Sequence, residues 1–262
     1  MRRKTSRTRA VLSGVPLILL GMYLLLALAT GRPLRALAVE LIGVITLWAI
    51  YAGRFAFNAP LVLAPEVLWF RVKDRARPPP LGAVVFTGSS TIAHWRFLAD
   101  DMAPLPVVNR GINGARLSQI AHYADQLVLP HRPRAVVLYA GENDLAGFLG
   151  SRRQSPEEVL AAFQSLCEKI HARLPEVTVD FISIKPTRAR AASATAFQRA
   201  NALVKQACAV DPRLNFIDAV PALLGADGRA RSDVFEVDGI HLNEEGYRIL
   251  TSVVRPCLLA RQ

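Results

Sequence analysis

Acidic residues are scarce at the start of this chain. Residues 1–78 carry 3 Asp and Glu against 12 Lys and Arg, whereas residues 79–262 carry 18 against 20. The pI of 10.3 therefore reflects a basic leading segment, not the broad positive surface that nucleic-acid binding needs, and no nucleic-acid partner is expected. Cysteine is also scarce. Cys167, Cys208 and Cys257 lie far apart with no C-x-x-C pair, which excludes a disulfide framework and a thiolate metal site and leaves buried free thiols as the expectation. His94, His122, His131 and His171 show no ligand-like spacing and are read as structural or surface residues. The chain has no G-x-G-x-x-G run and no Walker-type lysine after its glycine-rich loops, so dinucleotide and nucleoside-triphosphate sites are not indicated. Apart from Pro78-Pro79-Pro80 there is no low-complexity tract, and there is no internal repeat.

What is present begins with long apolar runs. Arg2, Arg3, Lys4, Arg7 and Arg9 precede an uncharged apolar stretch over 11–30, about the twenty residues a helix needs to cross a hydrocarbon core. A cleaved signal peptide has a shorter apolar core, so an uncleaved anchor is expected. After Gly31-Arg32-Pro33 the chain is apolar again over 36–53 apart from Glu40. A second span there makes a helical hairpin with arginines on the inner side at both ends, placing the main domain in the cytoplasm. If 36–53 lies along the membrane surface instead, the domain is outside. Residues 1–56 are thus read as a membrane anchor. Residues 57–80, with Trp69, Phe70 and interleaved prolines, read as an interfacial connector or as a hydrophobic linker packed on the domain that follows.

From Leu81 onward, short apolar runs alternate with longer amphipathic stretches. The pattern predicts strands over 83–87, 106–109, 135–140, 177–184 and 214–217, and helices over 117–129, 156–174, 195–209 and 243–259. Nearly unbroken apolar strands separated by helices imply an α/β fold, a parallel sheet covered on both faces. Active sites in such folds gather at the carboxyl ends of the strands.

The first strand breaks at Gly88 and delivers Ser89 and Ser90, a placement that exposes a hydroxyl for chemistry. A serine becomes a nucleophile only with a base to take its proton. Asp238-Gly239-Ile240-His241 supplies an imidazole with a carboxylate three residues away to fix its tautomer, just before a helix for which Asn243 is the expected N-cap. An isolated D-x-x-H is more often a surface turn, so its weight comes from its companions. Gly141-Glu142-Asn143-Asp144 ends the third strand, where the Asn143 amide is placed to meet a developing oxyanion; a plain turn, with Asp144 capping the next segment, is the alternative. Asn109-Arg110-Gly111-Ile112-Asn113-Gly114 follows the second strand and offers glycine amides for the same purpose. Lys185, Arg188 and Arg190 follow the fourth strand and read as a solvated loop or as an anchor for an anionic group. Glu142 reads as a loop residue, and Trp95 and Phe97 as core.

These four blocks, in this order, resemble the SGNH/GDSL hydrolase family from Leu81 to the C-terminus. The resemblance implies a flavodoxin-like three-layer α/β/α sandwich with a five-stranded parallel sheet, and esterase, lipase or acylhydrolase activity without metal or organic cofactor. By match to the blocks it assigns Ser90 as nucleophile, His241 as base and Asp238 as its partner. Asn143 and the Gly114 amide would join the Ser90 amide in the oxyanion hole, with Gly111 the neighbouring candidate. Where the family usually has Asp before the nucleophile this chain has Ser89, so the choice between adjacent serines rests on the block match. The G-x-S-x-G elbow of α/β-hydrolases is missing, because Ile92 stands where its second glycine would be. The expected protein is a membrane-anchored serine hydrolase acting on a small-molecule, lipid or glycan ester. Acyl transfer to a sugar or lipid hydroxyl, and a non-catalytic binding module, are its rivals.

Overall fold

The computed structural model describes residues 36, 38–46, 58–147 and 151–261. The chain divides into two compact units, Met1–Gly53 and Arg54–Gln262. The expected span over 11–30 lies outside the described residues. Of 36–53, the stretch 38–46 is helical, with Val39, Ile42, Val44 and Ile45 exposed. No helix among the described residues is long and apolar enough to cross a membrane.

In the second unit a 3-10 turn, Pro60–Leu63, leads into helix α1 (Ala64–Ala76). There follow β1 (Val84–Gly88), the short helices α2 (Ser90–Ala93) and α3 (Leu98–Asp101), β2 (Val107–Gly111), α4 (Leu117–His122), α5 (Ala124–Leu127) and β3 (Ala135–Tyr139). The chain continues through α6 (Glu142–Ala146), α7 (Pro156–His171), β4 (Thr178–Ile182), α8 (Ala194–Val210), β5 (Leu214–Ile217) and α9 (Glu244–Leu259). The five strands form one sheet in the order β2-β1-β3-β4-β5, and every pair is parallel. The five expected strands are all there, with boundaries moved by a few residues.

The strands are apolar throughout because both faces are covered. Alternation sends Val84, Phe86, Val137, Tyr139 and Ile182 into the core shared with Ile92, Trp95 and the apolar face of α9. It sends Val85, Val136, Leu138, Val179 and Phe181 into the opposite core, with Leu117, Phe163, Phe197 and Val204 from α4, α7 and α8. Leu63 and Val67 belong to that second core, so the stretch before the proline run is packed on the domain. Cys167 and Cys208 are buried thiols and Cys257 is half-buried.

The helix expected over 117–129 is broken into α4, α5 and a 3-10 turn at Leu129–His131. Pro130 has no amide hydrogen to give to an α-helical ladder, so the last turn tightens. The short helices α2, α3 and α6 were not expected. A single turn has too few residues to show a hydrophobic period.

Candidate active site

The sheet order has a topological switch at β1, whose neighbours β2 and β3 are reached by crossovers in opposite directions. A crevice forms at the carboxyl end of such a strand. Ser90 stands there, as the first residue of α2. Gly88 makes the turn: its φ is 133°, and a Cβ would sit 1.9 Å from the Tyr139 carbonyl oxygen on β3. No side chain fits, and the Ser89 amide instead donates to that oxygen at 2.8 Å. Ser89 is buried and Ser90 half-buried.

His241 reaches Ser90 from the far end of the chain. Its Nε2 lies 3.1 Å from the Ser90 hydroxyl and its Nδ1 2.5 Å from Asp238 Oδ2. With Nδ1–H donated to the carboxylate, Nε2 presents its lone pair to the hydroxyl, the tautomer that proton abstraction requires. The other oxygen of Asp238 accepts from the amides of Ile240 at 2.8 Å and His241 at 3.0 Å. Burial pushes the Asp238 carboxyl up, but those amides and the imidazole outweigh it and hold the group below its ordinary value. The carboxylate therefore stays ionised as imidazole charge develops.

The loop carrying this pair is built to hold still. Phe235 and Leu242 form an antiparallel bridge, the Glu236 amide donates to the His241 carbonyl at 2.8 Å, and the Ala189 amide donates to the Gly239 carbonyl at 3.2 Å. Asn243 caps α9, its Oδ1 accepting from the Gly246 amide at 3.0 Å, as its position before the helix predicted. A Cβ on Gly246 would stand 2.4 Å from the Val234 carbonyl, so the bare backbone lets the helix start against the loop. Tyr247 on α9 then donates to the Thr91 carbonyl at 2.9 Å, tying the base-bearing segment to the nucleophile helix.

Asn143 lies on α6, which starts at Gly141 in the left-handed region with φ 103°. The segment read as a loop is thus a helical turn. The Asn143 amide nitrogen donates to the Ala115 carbonyl at 3.1 Å, beside Gly114. Gly114 itself has φ 72°. The Gly111 amide is donated to Asn109 Oδ1 at 2.9 Å. Asp144 caps α4 across the sheet edge, both of its oxygens accepting from the Leu117 amide at 3.1 and 3.2 Å. Burial pushes this carboxyl up to about 6, although the Leu117 amide and Arg116 work against the rise.

Four residues, Glu142, Lys185, Arg190 and Phe97, turn out differently from their sequence reading. Glu142 is buried and not a surface loop residue: it accepts from Tyr139 Oη at 2.7 Å, Lys185 Nζ at 2.6 Å and Arg190 at 2.9 Å. Lys185 is buried as well, which removes it as a solvated loop residue or an anchor for a substrate anion. Burial favours protonated Glu142, but the two cations outweigh it and keep the carboxyl below its ordinary range. The one sequence hint was that Glu142 and Lys185 both follow apolar strands at the edge where the site forms. Phe97 is exposed where core was expected, while Trp95 is in the core as expected. Phe97 lines an open groove of about 890 Å³ together with His94, Asp238 and His241. The His94 ring centroid lies 4.7 Å from that of His241, so this histidine borders the site. Among the described residues, no group of three or more His, Cys, Asp and Glu is placed to hold a metal ion.

A parallel α/β sheet gathers serine, imidazole and carboxylate at its switch point, and the family to which the chain belongs is one of hydrolases acting on ester bonds. The chain belongs to the GDSL-like lipase/acylhydrolase family, whose sequence profile matches residues 82–249. Among curated proteins it is similar to the platelet-activating factor acetylhydrolase IB subunit alpha1 of Pongo abelii and of Homo sapiens. Each is 28% identical over 185 residues, covering 67% of this chain and 75% of the relative. A GDSL-like lipase from Bacteroides thetaiotaomicron has the same fold, with a TM-score of 0.63 at 22% identity over 75% of this chain and 98% of that one. The lipase/acylhydrolase from Enterococcus faecalis aligns with a TM-score of 0.51 at 19% identity, over 68% and 96% of the two chains.

Proposed function

We propose that the protein is a membrane-anchored serine esterase in which Ser90, His241 and Asp238 act as the catalytic triad. The observation that carries this reading is the unbroken line from Asp238 through both nitrogens of His241 to the Ser90 hydroxyl. Ser90 attacks the ester carbonyl as His241 takes its proton. The oxyanion is met by the Asn143 amide and the backbone amides of Ser90 and Gly114, and the proton held on His241 passes to the departing alkoxide. Water, activated by the same imidazole, then hydrolyses the acyl-enzyme. The test is labelling of the purified full chain by a fluorophosphonate together with turnover of an aryl acetate. Ser90→Ala is expected to abolish both while Ser89 remains, and a variant that keeps either activity would reject the assignment.

The membrane part of the reading rests on the apolar stretches over 11–30 and 36–53 and on the outer face of α1. Leu68, Trp69 and Val72 are exposed there, on the side of the helix opposite Val67, and Arg71, Lys73, Arg75 and Arg77 flank them. Exposed Trp and Leu edged by cations suit a helix lying in the headgroup region. With two spans the catalytic domain faces the cytoplasm. The brominated-lipid quenching that is lost in Trp69→Phe, with protease accessibility of the domain in sealed vesicles, tests depth and side together.

A further inference from the structure

We propose that Arg190 is a positioning residue for the oxyanion hole, acting through Asn143; this deepens the esterase reading and rests on it. A primary amide has two ends of similar shape and opposite hydrogen-bonding character, so a pocket must state which end goes where. Around Asn143 the statement is made twice. Arg190 donates to its Oδ1 at 3.1 Å, and the Ala115 carbonyl accepts from its Nδ2 at 3.1 Å. In the flipped amide the NH₂ would face the guanidinium, donor against donor, and the carbonyl would face a carbonyl. The observed orientation keeps the NH₂ end of Asn143 on the side of Ala115, the residue after Gly114, with one N–H beyond the Ala115 bond to offer an oxyanion.

Arg190 follows β4 on an irregular segment, and a surface arginine there would gain nothing by holding still. It is held because the same nitrogen also donates to Glu142 Oε1 at 2.9 Å, which leaves its side chain only 13% exposed. Glu142 is in turn fixed through its other oxygen by Lys185 at 2.6 Å and Tyr139 Oη at 2.7 Å. Lys185 completes the connection by donating to Thr91 Oγ1 at 3.2 Å, one residue beyond the nucleophile. A buried charge left unpaired is costly, so each member of this chain keeps its partner in place. The clamp thereby fixes the oxyanion donor on α6 relative to the serine on α2.

The experiment is a double-mutant cycle on the full chain with an aryl acetate as substrate. Arg190→Ala is expected to lower kcat roughly 10–100-fold with KM within about threefold, because a mis-set donor is felt mainly in the transition state. Asn143→Ala/Arg190→Ala is expected to be no slower than Asn143→Ala alone, to within about twofold, since Arg190 has no donor left to set. Arg190→Lys, which keeps a cationic donor, should recover part of kcat. Should Arg190→Ala unfold, the cycle is run with Arg190→Lys and Arg190→Gln, for which the same coupling to Asn143 is expected. An unchanged kcat in the folded variants, or losses at the two positions that multiply, overturns the proposal while leaving the triad intact. A wild-type chain that neither turns over ester nor labels at Ser90 overturns the esterase reading, and the proposal with it.

Discussion

Gly111, at the end of β2, lies against the backbone of Ala93: a Cβ on this glycine would stand 2.2 Å from the Ala93 nitrogen. The contact is between main chains, so no rotamer can relieve it. Gly111 is a spacer that lets the nucleophile helix sit down on the neighbouring strand, and that requirement is separate from donating to an oxyanion. Gly111→Ala is therefore expected to destabilise the fold by roughly 1–3 kcal/mol through overpacking, and to lower activity by displacing α2. Thermal unfolding of the purified full chain, with fluorophosphonate labelling kinetics, checks both; a variant with wild-type stability would show that the backbone has room to move.

Asn143→Ala removes the side-chain donor and leaves the Gly114 and Ser90 amides. The expected loss is roughly 10²–10³ in kcat, with little change in KM. Steady-state kinetics on an ester soluble well above its KM, so that kcat and KM are resolved separately, decide this, and a loss confined to KM would reassign Asn143 to ground-state binding.

Asp144 gives a pH-dependent stability with a definite sign. Its folded pKa, about 6, is above its ordinary 3.8, so between those values the folded chain keeps a proton that the unfolded chain has released. Stability from this group is full below the unfolded value and is lost as pH rises through the folded one, by roughly 3 kcal/mol in all. Asp144→Asn does not titrate and keeps an acceptor for the Leu117 amide. The wild-type unfolding free energy, measured relative to this variant, should fall between about pH 4 and pH 6 and level off above. A flat difference across that window would contradict burial as the dominant influence on the carboxyl.

The Glu142–Lys185 pair should behave as a buried ion pair. Glu142→Leu leaves Lys185 and Arg190 facing each other without a counter-charge, and a loss of roughly 3–5 kcal/mol is expected. Glu142→Leu/Lys185→Met removes one cation together with the anion, and should be clearly less unstable than the sum of the single variants. Additive losses in chemical denaturation would mean that the two side chains do not depend on each other.

The strands and the candidate site residues were legible in the sequence for one reason. Five short apolar runs between amphipathic stretches leave few alternatives to a covered parallel sheet, and Ser90, Asn143 and His241 each stand where such a sheet exposes side chains. The buried chain of Glu142, Lys185 and Arg190 was not legible, because charge near a strand end reads as solvent-facing unless its partners are known, and these lie 43 and 48 residues apart. The spacing of Asp238 and His241 was visible, but not that Ala189 would brace their loop. His94 gave no signal at all, since a ring that borders a site through space need share no motif with it. That the Gly111 amide is held by Asn109 was not visible either, since the two residues stand at the end of β2, where the sequence does not specify the turn.

The serine and the imidazole that meet at 3.1 Å are separated by 151 residues. A growing chain therefore carries its serine long before the imidazole is made, and the hydroxyl is inert in the meantime. All five strands precede residue 241 along the chain, so the imidazole reaches the serine only when the loop before α9 docks against the nucleophile helix.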